Sequence, residues 1–152
     1  MLTIDPFSLI GVVVNRTKAL PDATNNVLAV VDEVKNVHSS IQGVDEEVQS
    51  LQTTLDALND SLASLSPADA TAKNEDAGSL WPAAYKSIHD CELTIHQLYD
   101  CLNGFKMESS DVSHQKMMST KFNQNERRLQ VLRIRVQTHD TSLQLVLQMI
   151  SA

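Results

Sequence analysis

Glycine and proline are scarce, with four of each in 152 residues, and the aromatic side chains amount to three Phe, two Tyr and one Trp. So few turn-formers beside a 42% apolar content, rich in Leu, Val, Gln and Glu, predict long helices joined by few loops. No glycine-rich loop is present, which excludes a backbone cradle for phosphates. The longest apolar run, Leu9 to Val14, falls far short of the roughly 20 residues that a membrane-spanning helix needs. Basic residues are outnumbered, 12 Lys and Arg against 19 Asp and Glu, giving a net charge of -7 and a pI near 5.0. That balance argues against a nucleic-acid binder, which needs a basic face, and weakens attachment to anionic lipid.

Cysteine is nearly absent as well. Cys91 and Cys101 fall in one predicted helix, roughly 15 Å apart at 1.5 Å per residue and beyond the reach of a disulfide. Two free thiols suit a reducing, cytoplasmic setting. No charged n-region with a small-residue cleavage site opens the chain, so no signal peptide is expected. The length fits one domain, residues 1–152, able to bury a core without metal or disulfide staples.

What is present is a set of seams. Met118, Phe122, Asn125, Leu129, Leu132, Val136, His139, Leu143, Val146 and Ile150 follow each other at spacings that alternate between four and three. This is a period of 3.5, the mark of a helix packed along other helices. The tract from Val112 to Ala152 contains no Gly or Pro, and its seam makes a spine roughly 50 Å long. Thr138 to Thr141 could form a kink or a new cap within it, since Thr and Asp prefer helix ends.

Earlier in the chain, Asp5-Pro6 is a helix start, with Pro at a position where its missing N–H costs nothing. Phe7 to Lys18 reads as a short helix, broken or kinked at Pro21. Asp22 or Thr24 then caps a second helix that carries Val27 to Val37. A break at residues 39–43 is expected, with Asp45, Glu46 and Glu47 in the first turn of the helix that follows. Across that break the seam Val34, Val37, Ile41, Val44, Val48, Leu51, Leu55, Leu58, Leu62, Leu65 stays in register. Residues 66–79 read as a mobile loop. A further helix from Pro82 carries Ala84, Ile88, Cys91, Ile95, Leu98, Leu102 and Phe105 and stops at Gly104. The expected fold is all-α, an antiparallel bundle of four to five helices with a long C-terminal helix.

Chemistry is harder to find. His89 and Cys91 point about 200° apart on a helix and cannot hold one ion. Cys91 with His96 or His139 lacks a third orienting group, so an inert buried thiol is the simpler reading. Asp45, Glu46 and Glu47 fan around their helix and do not form a carboxylate pair. No catalytic residue, no cofactor, no metal and no small-molecule substrate is expected. Asn125 and His139 interrupt the last seam, either to set register by hydrogen bonding across the bundle or because helix rotation turns them to its rim. Arg127, Arg128, Arg133 and Arg135, with Lys116 and Lys121, make the same helix basic. They either pair with acids of the Asp45–Glu47 region or form a docking surface. Phe7, Leu9, Ile10, Val12, Val13 and Val14 make the first helix apolar all round. Such a helix is either central to a core or able to enter a second environment.

Five stretches carry a family resemblance: Asp5-Pro6-Phe7-Ser8, Val34-Lys35-Asn36, Glu47 to Leu55, Cys91-Glu92-Leu93-Thr94-Ile95, and Leu132 to Ile150 with its Thr141-Ser142-Leu143-Gln144-Leu145-Val146-Leu147. In that order the chain resembles the N-terminal helical domain of fungal STAND and NOD-like receptors. That domain is related to the HeLo and HeLo-like cell-death domains and to the start of azaphilone-cluster protein L. The resemblance implies a signalling or effector bundle that self-associates and, in HeLo members, perturbs membranes through its N-terminal segment. By that resemblance Phe7, Leu9, Ile10, Val12, Val13 and Val14 are the residues for membrane insertion. The implied partners are another copy, a receptor module or partner helix, and membrane lipid on activation. The other reading is a non-enzymatic interaction module without membrane activity.

Overall fold

The computed structural model describes residues 6–37, 39–66, 68–69, 80–109 and 115–151, with side chains described for 8–37, 39–66, 68–69, 80–106 and 124–151. The fold is an all-α bundle of four helices. They are α1 (Pro6–Val34), α2 (Val44–Ser64), α3 (Leu80–Ser109) and α4 (Gln115–Ser151), with a short 3₁₀ turn at Ser39–Ile41 before α2. The expected loop at 66–79 lies almost wholly outside the described residues.

The helices form two hairpins, each antiparallel. Asn59 of α2 reaches back to Thr17 of α1 and Gln52 to Asn25, while His139 of α4 meets Thr94 of α3 and Arg135 meets Gln97. The hairpins lie side by side, so that α1 runs along α3 in the same direction, with Arg16 near Glu92 and Glu33 near Lys106. Likewise α2 runs along α4, from Glu47 with Arg133 to Thr54 with Asp140. Around the bundle the order is therefore α1, α2, α4, α3.

The seams fill the centre. Every apolar residue of the α3 row from Ala84 to Phe105 is buried, as are Leu129, Leu132, Val136, Leu143, Val146 and Ile150 of α4. The α2 row is buried from Ile41 to Leu62, with Val37 and Leu65 packed at its ends. Trp81 and Leu80, outside the expected row, are fully buried at the start of α3. The side chains of Met118 and Phe122 lie outside those described.

Four expectations about helix breaks and ends are corrected. Pro21 does not break the first helix, which continues through it as one 29-residue element. Without a Pro21 N–H, the Thr17 carbonyl four residues earlier loses its usual donor. Asn59 Nδ2 donates to that oxygen instead, at 3.0 Å. Neither Asp22 nor Thr24 then caps a new helix, and the Thr24 hydroxyl folds back onto the Pro21 carbonyl at 2.7 Å. Gly104 does not stop α3, which runs on to Ser109. The Asn125 side chain of α4 packs closely on it: a Cβ there would lie 2.8 Å from Asn125 Nδ2. Finally, α4 is uninterrupted at Thr138–Thr141. Both threonine hydroxyls donate back to carbonyls one turn earlier, Ile134 and Gln137, so they stay helical and need no cap.

The expected break at 39–43 is present. Gly43 takes φ +94° at the cap of α2, a left-handed conformation that favours glycine. Asp45, Glu46 and Glu47 occupy the first turn after it.

Candidate functional site

The apolar tract of α1 divides by helical geometry. Leu9 and Val13, four apart, face the core with Thr17 and Leu20, and Val13 is completely buried. The Thr17 hydroxyl donates to the Val13 carbonyl at 2.6 Å, which satisfies it in this dry setting. Gly11 lies on the side opposite this face and is exposed, and Val12, about 100° round the helix from Val13, is 36% exposed at the edge of the open side. Ile10 and Val14 are half-buried on the flanks, and the side chain of Phe7 lies outside those described. One face of the tract is therefore core and the opposite one is open.

Asn125 and His139, the two polar members of the last seam, both turn toward α3. His139 Nε2 lies 2.7 Å from the buried Thr94 hydroxyl. Burial pushes its pKa below the ordinary 6.5, an effect that Arg135 adds to and Asp90 opposes. The Asn125 side chain packs on Gly104, and the Asn125 backbone carbonyl accepts from Cys101 Sγ at 3.5 Å. Each thus sits opposite a particular small or hydroxyl partner on the facing helix.

Between the two hairpins, α2 and α4 are joined by a forked ion pair. Arg133 of α4 donates through Nη2 to Glu47 Oε1 at 2.7 Å and through Nε to Oε2 at 2.9 Å. Its Nη1 reaches the Ser40 carbonyl at 3.1 Å. Hydrogen bonding to Glu47 raises the Arg133 pKa further. The fork passes over Gly43, where a Cβ would meet Arg133 Nη2 at 2.8 Å and push the guanidinium aside, in addition to the strain of a side chain at φ +94°. Two turns on, Asp140 accepts from Ser50 Oγ at 2.7 Å and from Thr54 Oγ1. Of the four arginines, Arg133 makes the expected pairing with the acids of the α2 start. Arg127 and Arg128 are exposed, and Arg135 donates to Gln97 at 3.3 Å.

Between α1 and α3, Arg16 sits 5.4 Å over the Tyr85 ring and donates to His89 Nδ1 at 3.2 Å. Glu92 is 3.6 Å from the same guanidinium. These residues border an open groove of about 410 Å³ lined by Asn15, Arg16, Ala19, Leu20, Glu92 and His96.

Cys91 is buried in the centre, and burial pushes its pKa up to about 12, which keeps it a thiol at neutral pH. Among the described residues no three His, Cys, Asp or Glu side chains converge as metal ligands. No helix among them is long and apolar enough to cross a membrane.

Sequence reasoning overlooked a second row on α4. Val131, Ile134, Leu145 and Met149, with Thr138 and Thr141 between them, lie on the side opposite the buried seam and are exposed. The signal was available, since these positions repeat every three or four residues just as the inner row does.

No family model, curated protein or solved structure matches the chain.

Proposed function

We propose that this protein is a non-enzymatic helical signalling module of the kind that the resemblance to fungal NOD-like receptor domains implies. It works by binding a partner helix, a receptor module or another copy of itself, with α1 retained as part of the core. The observation that carries this reading is the integration of the N-terminal tract. Val13 is completely buried in a helix tied to α2 through Thr17 and Asn59, and to α3 through Arg16 and Glu33.

The magnitudes favour retention. Releasing α1 would expose Leu9, Val13, Leu20, Val27, Val30, Val31 and Val34, all now buried. At roughly 1.5–3 kcal/mol for each side chain this is on the order of 10–20 kcal/mol, as large as the whole stability of an ordinary domain. A membrane would have to return that cost before α1 could act there. The second reading, insertion of α1 as in HeLo members, is favoured by the exposed Val12.

Leakage from anionic and neutral vesicles separates the two. The intact chain is expected to cause none, and Val12→Asp is expected to leave folding and leakage unchanged. Leakage by the intact chain, abolished by Val12→Asp in a protein that remains folded, would replace partner binding with membrane action.

A further inference from the structure

The outer row of α4 is the most apolar surface left open by the bundle. Val131, Ile134, Leu145 and Met149 are 48%, 64%, 57% and 42% exposed, and the row runs about 27 Å along the helix. With Thr138 and Thr141 at its middle, the row recurs every three or four residues, the spacing of a helix–helix seam, so it suits another helix laid alongside. The row is narrow. Gln130, Gln137, Gln144 and Gln148 border one flank, Arg128 and Arg135 the other, and Arg127 stands at its N-terminal end.

The charges define the occupant. Between Arg127 and Met149 the only carboxylate on α4 is Asp140, which is turned toward α2 and held by Ser50 and Thr54. Arg127, Arg128 and Arg135 make no ion pair among the described residues, in a chain whose net charge is -7. Two copies of this face would bring cation against cation. The acids of the second copy do not supply a matching row. Asp45, Glu46, Asp56 and Asp60 lie on α2, which exposes no large apolar side chain among the described residues. On α3, which carries Asp90 and Asp100, the exposed Leu93 and Tyr99 are six residues apart, about 120° around the helix, and share no seam.

We infer that the outer face of α4 docks an acidic amphipathic helix of another protein, its apolar residues on Val131, Ile134, Leu145 and Met149 and its carboxylates on Arg128 and Arg135. This rests on the reading that the module works by binding a partner, and it names that partner's chemistry.

The probe is a pair of designed helical peptides of about four heptads, apolar at a and d. One carries Glu at the flanking positions and the other carries Lys. Binding to the full 152-residue chain is measured by fluorescence anisotropy at low and high salt. The Glu peptide is expected to bind saturably, more weakly as salt rises, and the Lys peptide not to bind. Ile134→Asp, at an exposed site that leaves the fold intact, is expected to weaken binding at least about tenfold. Arg128→Glu with Arg135→Glu should reverse the preference toward the Lys peptide. Equal binding of both peptides, no saturable binding of the Glu peptide, or indifference to Ile134→Asp would overturn the inference. So would a concentration-dependent dimer, or attachment to anionic vesicles, that Ile134→Asp abolishes. Leakage dependent on Val12 would instead refute the partner-binding reading itself, which keeps the two failures apart.

Discussion

Asn59→Ala removes one hydrogen bond from a half-buried side chain, and the position of that bond raises the cost above the usual. The Thr17 carbonyl that accepts it belongs to a fully buried residue and receives nothing from Pro21. An ordinary hydrogen bond contributes about 0.5–1.5 kcal/mol, whereas leaving a buried acceptor without a donor costs about 1–3 kcal/mol. A loss near 2 kcal/mol is expected. In urea, with a slope of about 2 kcal/mol per molar, this lowers the unfolding midpoint by about 1 M. Far-UV circular dichroism follows it directly. The decisive comparison is with Pro21→Ala, which returns an N–H to the helix and gives the Thr17 oxygen its own intrahelical donor. In that background Asn59→Ala should cost only about 0.5–1 kcal/mol, a coupling of about 1–1.5 kcal/mol between two residues on different helices. Equal losses in both backgrounds would show that Asn59 does not stand in for the missing amide.

Three further outcomes follow from the same contacts. Gly43→Ala forces a side chain into φ +94° and against Arg133 Nη2, and is expected to destabilise by about 1–3 kcal/mol in the same urea assay. Arg133→Ala leaves Glu47, whose side chain is only 15% exposed, without its fork, and should cost about 1.5–3 kcal/mol, recovered only in small part by Lys, which cannot make the paired contact. His139 has a lowered pKa in the folded protein, so the unfolded chain takes up the proton first. Its contribution is therefore fully present above the unfolded value near 6.5 and is lost as pH falls toward the folded one; His139→Gln should flatten that part of the pH–stability curve, and the His139 ring should titrate below 6.5 by NMR.

The parts of this fold legible in the sequence are those governed by local period. The rows of α2, α3 and α4 face inward because apolar side chains three and four residues apart share a helix side whatever the chain does elsewhere. The break at 39–43 was readable for a similar reason, since a glycine followed by three acids is a local helix-start signal, although the left-handed conformation of Gly43 was not foreseen. Pro21 and Gly104 were misread because the residues that decide their roles are distant. Asn59, 42 positions beyond Thr17, closes the gap that Pro21 opens, and the Asn125 side chain of another helix packs on Gly104. The ring order α1, α2, α4, α3 was equally out of reach, because every seam could have met either neighbour. Within the interaction surfaces, the pairing of Arg133 with Glu47 followed from charge and position. The N-terminal tract looked apolar all round, and only its packing separates Val13 from Val12. The outer row of α4 escaped notice because the inner row already accounted for that helix.

The most direct test is amide hydrogen exchange of α1 in the presence of anionic vesicles. Protection from Leu9 to Leu20 unchanged by lipid is expected if the helix remains core while the module binds its partner elsewhere. Loss of protection across that segment, with vesicle leakage on the same timescale, would mean that α1 leaves the bundle and acts on the membrane.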